Sequence, residues 1–169
     1  MLAYGGGDAA AFETLYARHR GGLFRFVLRA VKERGAAEEL FQEVWVRVIE
    51  ARERYAPKAR FTTWLYTIAH NLLVDHWRKK GLSLAVLDEE DVPSESANPA
   101  RQAEAREALA RLVQALEALP AAQREAFLLH EEGGLSVAEI AAVTGAGAEA
   151  AKSRLRYAMA KLKAAVSDN

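Results

Sequence analysis

The chain has 169 residues, 51% of them hydrophobic, equal numbers of acidic and basic side chains, and no cysteine. That length suits one medium domain or two small ones, and the missing thiols exclude disulfides, thiolate zinc sites and cysteine nucleophiles. No run of about 18 apolar residues could cross a membrane, and the start, MLAYGGGDAAAF, lacks the basic-then-apolar order of a secretory signal, so a cytoplasmic protein without membrane insertion is expected.

From Asp8 to Lys32 the spacing of Phe12, Leu15, Tyr16, Leu23, Phe26, Val27 and Val31 predicts a helix, with Gly21-Gly22 expected to break or bend it. Gly35 is read as its end. A second helix is predicted from Ala36 to about Arg54, with Leu40, Phe41, Val44 and Val48 on one side and Glu39, Glu43 and Glu50 on another, Gln42 and Val46 beside them. Pro57 forces a loop over 55–60. A third helix runs from about Thr62 to Lys80. Residues 8–80 carry 14 basic and 9 acidic side chains.

Residues 81–100 change character. LDEEDVPSESANPA is acidic and Pro-containing, with little helical period, and reads as a flexible or extended linker. Helix resumes near Arg101 and continues to Leu119. Pro120 starts another helix to about Glu132, before Gly133-Gly134. Ser136 followed by Glu139 is a capping-box pattern. The helix it opens is short, because Gly145 and Gly147 bracket a turn, and a last helix then reaches about Val166. No window alternates with period two, so an all-α fold is expected: two small helical domains, 8–80 and 101–169, joined by the acidic linker.

The two short helices around a Gly-containing turn outline a helix-turn-helix. On the last helix, Ala151, Leu155, Ala158 and Leu162 share an apolar side, while Ser153, Arg156 and Tyr157 point the other way, with Lys152 and Arg154 on the flanks. Such a face suits a major groove, with base edges met by hydroxyl and guanidinium groups and phosphates by the cations. A solvated basic face on an ordinary amphipathic helix is the alternative.

The third helix poses a similar choice. Phe61, Leu65, Ile68 and Leu72 make one buried side; Tyr66, His70, Leu73 and Trp77 lie roughly opposite. Left outward beside Lys58, Arg60 and Arg78, those rings would suit single-stranded nucleic acid; covered by neighbouring helices, they would be core. The carboxylates at Glu39, Glu43 and Glu50 make either a solvated stripe or a docking edge for a basic partner. Nothing pairs them with a nucleophile. His70, His76 and His130 are scattered, and His130-Glu131-Glu132 is not HExxH. With no phosphate loop and no GxSxG, neither an enzyme, a metal site nor a cofactor is expected.

Three stretches carry a resemblance. AEELFQEVWVRVIE at 37–50, RFTTWLYTIAHNLLVDHWRK at 60–79, and LPAAQREAFLLHEEGGLSVAEIAAVTG with KSRLRYAMAKL between 119 and 162 resemble regions 2.2, 2.3–2.4 and 4 of sigma-70 family sigma factors, in the compact extracytoplasmic function (group IV) type. The resemblance implies a factor that binds core RNA polymerase, recognises −35 and −10 promoter elements and aids melting, while the polymerase does the chemistry. It implies docking on the β′ clamp coiled coil through Glu39, Gln42, Glu43 and Val46, and a second contact at the β flap. It implies capture of a flipped −10 base by Lys58, Arg60, Phe61 and Trp64 around the loop and by Asn71, Asp75 and Arg78 along the helix. Lys152, Ser153, Arg154, Arg156 and Tyr157 would read the −35 duplex, the linker would run through the polymerase cleft, and an anti-sigma partner is the common means of restraint. Ala150, Tyr157 and Met159 depart from the usual recognition-helix pattern, so fewer cations are expected at the −35 backbone. Glu38-Glu39 supplies the acidic edge without phosphorylation, and no structured module is expected after Asn169. The rival readings are a stand-alone helix-turn-helix regulator and a helical interaction protein with no DNA role.

Overall fold

The computed structural model describes residues 1–81 and 100–167, with side chains in the second stretch from Glu107 onward. All regular structure among the described residues is helical: α1 (Leu2–Gly5), α2 (Ala9–Val31), α3 (Arg34–Glu50), α4 (Phe61–Lys79), α5 (Ala100–Glu117), α6 (Ala121–Glu131), α7 (Val137–Thr144) and α8 (Ala148–Ser167). Of the acidic linker expected at 81–100, residues 82–99 lie outside the described residues, and Ala100 already opens α5.

Local chemistry sets the ends of these helices. Asp8 caps α2 by accepting from the Ala11 amide, and Lys32 closes it in a left-handed conformation with φ 60°. Of the break or bend expected at Gly21-Gly22, no break occurs, since α2 runs unbroken through both. Gly35 does not end the preceding helix either; it lies in the first turn of α3. There the Glu33 carboxylate accepts from the amides of Gly35 and Ala36. A Cβ on Gly35 would come within 2.8 Å of that carboxylate, so glycine makes room for the cap. α3 stops at Glu50, earlier than the expected Arg54. Ser136 and Glu139 form the full capping box at the start of α7, and Gly145 ends that helix at φ 67°.

Helices α2, α3 and α4 pack as one bundle around Leu23, Phe26, Val27, Val44, Trp45, Val48, Leu65 and Leu73. Helices α5 to α8 pack as another around Leu116, Leu129, Ile140, Val143, Leu155 and Leu162. The bundles do not stand apart. α6 lies against α2 and α7 against α4, and the buried apolar residues of both bundles form one continuous cluster.

This packing resolves the choice posed by α4. Tyr66, His70, Leu73 and Trp77 are all buried, so of the two alternatives the rings are covered and not turned outward. Part of that side is covered by the second bundle. A Cβ on Gly133 would lie 3.1 Å from the Tyr66 ring, His70 Nδ1 is 2.6 Å from Glu125 Oε1, and Trp77 lines a small cavity with Ala121, Arg124, Glu125 and Leu128. The rings are core, and the core extends across two domains.

Candidate nucleic-acid interface

Three surfaces hold the residues singled out in the sequence. The first is the outer face of α8. Ala151, Leu155, Ala158 and Leu162 are buried, as their spacing requires, which turns Lys152, Arg156 and Tyr157 to solvent and leaves Ser153 and Arg154 half-buried. The Arg156 guanidinium lies 5.0 Å from the Tyr157 ring centroid, and Tyr157 is 53% exposed. A planar cation resting on an exposed ring is held in a defined direction at little entropic cost. The face is cationic, wet and presented by a capped two-helix hairpin.

The second surface is the 55–60 loop with the start of α4. Lys58 and Arg60 are exposed, while Phe61 and Trp64 are half-buried. Trp64 is gripped edge-on by Tyr55, 4.9 Å between centroids, and Phe61 sits between Trp64 and His19. Burial and the neighbouring Arg18 hold the His19 imidazole below its ordinary range, which favours the neutral ring beside Phe61. Further along α4, Asn71 and Arg78 are exposed and Asp75 half-buried, with Arg78 donating to Asp75 at 2.7 Å. Phe61, Trp64, Asn71, Asp75 and Arg78 therefore lie along α4, with Lys58 and Arg60 in the loop before it, and Asp75 and Arg78 are already paired with each other.

Arg60 is also paired, with a residue that the sequence marks only as a helix cap. Its guanidinium lies 3.2 Å from Glu139 of α7, and the Thr63 hydroxyl donates to the same carboxylate at 2.8 Å. Glu139 also accepts from the Ser136 amide. That amide, then Thr63 and Arg60, hold its carboxyl below the ordinary glutamate range. Thr63 and Glu139 gave no sequence signal as a pair, because 76 positions separate them.

The third surface is the outer strip of α3. Glu39, Gln42 and Val46 are exposed and Glu43 half-buried, with Ile49 and Glu50 continuing the strip. Glu43 pairs with Arg47 at 3.0 Å, one helical turn on. The strip combines carboxylates with two exposed aliphatic side chains, Val46 at 45% and Ile49 at 40%.

Among the described residues no cluster of histidines and carboxylates is arranged to hold a metal ion, and no helix is long and apolar enough to cross a membrane. Residues 15–82 match the sequence profile of Sigma-70 region 2, and residues 109–162 match that of Sigma-70, region 4. The chain is 36% identical over 166 residues to the RNA polymerase sigma factor CarQ of Myxococcus xanthus, covering 96% of this chain and 93% of that one. It is 32% identical over 161 residues to the ECF RNA polymerase sigma factor SigL of Mycobacterium tuberculosis, covering 92% and 89%. In fold it resembles CnrH in complex with the cytosolic domain of CnrY, at a TM-score of 0.66 and 26% identity over 98% of this chain and 94% of that one. It also resembles the sigma factor RpoE in complex with the anti-sigma factor NepR from Bartonella quintana, at a TM-score of 0.71 and 24% identity, over 94% and 99%. Two ordered regional matches and relatives aligned over nearly their whole length lead to one conclusion: the chain belongs to the sigma-70 family of RNA polymerase sigma factors, in its extracytoplasmic function group.

Proposed function

We propose that this sigma factor, which directs transcription initiation, divides that work among the three surfaces just described. Residues 8–80 form the region 2 domain, 101–169 the region 4 domain, and 81–100 the tether between them. The α3 strip, Glu39, Gln42, Glu43 and Val46, docks on the polymerase β′ clamp, and the region 4 domain on the β flap. Lys58, Arg60, Phe61, Trp64, Asn71, Asp75 and Arg78 handle the −10 strand. Lys152, Ser153, Arg154, Arg156 and Tyr157 read the −35 duplex. The chain is a regulatory subunit and not itself an enzyme, it works in the cytoplasm, and an anti-sigma protein is its natural restraint. That last step is supported by the relatives of like fold, solved as complexes with the anti-sigma factor NepR and with the cytosolic domain of CnrY.

The observation that carries this reading is the cationic outer face of α8, on a capped helix-turn-helix, in a chain aligned end to end with sigma factors. Zero net charge supports the need for a larger assembly, since the chain alone has little general attraction for DNA. The test is run-off transcription with bacterial core enzyme on a promoter library, read for the −35 and −10 sequences selected. Replacing Arg154 and Arg156 by Ala should relax −35 selection, at a cost of about 1–3 kcal/mol of discrimination for each bidentate pairing with a base that is removed. A chain that never directs initiation with core enzyme overturns the reading. Specific duplex binding without polymerase would instead favour the stand-alone regulator.

A further inference from the structure

The 51–60 loop brings Lys58 and Arg60 to the start of α4, yet it has little of its own to hold it. Ala51 and Tyr55 are half-buried, and every other side chain in it is exposed. A loop so exposed keeps a defined path only where a rigid scaffold grips it. Further along, the grip is Tyr55 against Trp64, 4.9 Å between ring centroids. Where the loop begins, the grip comes from α1.

α1 reaches the point where α3 gives way to the loop. The Arg52 guanidinium lies over the Tyr4 ring, 5.8 Å from its centroid. Hydrogen bonding to the Tyr4 side chain is the first cause that holds this guanidinium above its ordinary range. Gly5 lets the two backbones meet, since a Cβ on it would lie 2.7 Å from the Arg52 carbonyl oxygen. α1 is itself fixed to the domain core. The Tyr4 ring rests on Phe12 at 5.0 Å, Phe12 meets Trp45 edge-on at 5.8 Å, and Trp45 is buried. The Asp8 amide donates to the Ala3 carbonyl at 3.0 Å, which ties α1 to the cap of α2. Contacts therefore run without a gap from the core, through Phe12 and Tyr4, to Arg52. A cover for Phe12 would need only the Tyr4 ring; it would not need the backbone approach at Gly5 or the hold on Arg52.

We propose that Tyr4 and Gly5 are positioning residues for −10 recognition: they fix where the 51–60 loop leaves α3 and so, with Tyr55, where Lys58 and Arg60 stand relative to Phe61 and Trp64. The proposal rests on the assignment of this loop and the start of α4 to the −10 strand. Neither Tyr4 nor Gly5 touches the DNA; both act through Arg52. Cations that meet phosphates set the register of a strand, and the rings then meet whichever base that register delivers. A loop released at Arg52 would let the cations drift from the rings, and a recognition site tolerates only about 0.5 Å of such drift. The loss would fall on the choice of −10 sequence, because α8 and the outer strip of α3 lie on other elements.

The experiment is run-off transcription by the full chain with core polymerase, on promoter libraries randomised at −10 or at −35. Tyr4→Ala, Gly5→Val and Arg52→Ala should each weaken the preference among −10 sequences by about threefold or more. Selection at −35 and retention on core polymerase should stay as in the unaltered chain. Tyr4→Ala combined with Arg52→Ala should do no more than either alone, because both break one contact. A purely structural role for α1 would lower output from every promoter alike. That even loss overturns the proposal, and so does unchanged −10 selection in both Tyr4→Ala and Gly5→Val. Trp64→Ala separates the proposal from the reading beneath it. If Trp64→Ala changes −10 selection and the α1 variants do not, only the positioning role falls. If Trp64→Ala and the α1 variants all leave −10 selection unchanged, the assignment of the loop to the −10 strand falls with it.

Discussion

Glu139 shows how much one side chain can carry. It closes the α7 capping box, accepts from Thr63 and neutralises Arg60. Its carboxyl lies below its ordinary range, so the folded state favours the charged form. The stabilisation is therefore present above the unfolded pKa and is lost as pH falls through the lower folded value. Glu139→Gln keeps an acceptor for the Ser136 amide but removes the charge. Urea unfolding at pH 7 and pH 3 should show a smaller acid-induced loss of stability in this variant than in the unaltered chain; an equal loss would assign the acid sensitivity to other carboxylates. Glu125 acts differently, because its partner is enclosed with it. Glu125→Ala leaves the buried His70 ring nitrogen without its 2.6 Å partner. An unsatisfied buried polar group costs about 1–3 kcal/mol, readable as a lower denaturant midpoint. A stability change within error would mean water reaches the site.

At the scale of helices, α3 separates folding from docking by its two sides. Val44, Trp45 and Val48 are buried, while Glu39 is exposed and Glu43 half-buried on the outer side. Glu39→Lys with Glu43→Lys should leave the fold nearly unchanged, since surface substitutions usually stay within about 0.5 kcal/mol and the Glu43–Arg47 pair is a half-exposed pair one turn apart. Retention on immobilised core polymerase should nevertheless fall sharply; equal retention would remove the α3 strip from the docking surface. The same two-sidedness explains what the sequence could reveal. A side packed within its own domain repeats at helical spacing, so the apolar sides of α3 and α8 and the capping box of α7 were all legible. The second side of α4 was not. Tyr66, His70 and Trp77 have the same spacing whether solvent, DNA or another domain covers them, and their cover comes partly from Glu125 and Gly133, far along the chain. Gly21-Gly22 was visible as an anomaly and read as a break or bend, whereas α2 runs unbroken through it. Its second glycine marks a close approach by residues from the other domain, which no local pattern encodes.

For the molecule as a whole, the question is whether two domains joined across such an interface behave as one. The apolar cluster is continuous through Tyr66 and Trp77 of one bundle into Leu128 and Leu129 of the other. The ion pairs around it are mostly exposed on the cation side, 62% for Arg25 and 61% for Arg60, and exposed pairs contribute only about 0–1 kcal/mol each. Any coupling between the domains therefore rests on the buried middle of the interface and not on its exposed rim. All three tryptophans, Trp45, Trp64 and Trp77, lie in the first domain, whereas both domains contribute to the helical circular dichroism signal. Coupled domains should unfold with coincident fluorescence and dichroism transitions in urea. In Gly22→Ala, where the added methyl would meet the Glu132 carbonyl, the two curves should separate. The fluorescence midpoint should then hold or rise, because alanine favours α2 by about 0.5–1 kcal/mol. Transitions already separate in the unaltered chain would mean that the free molecule is open in solution.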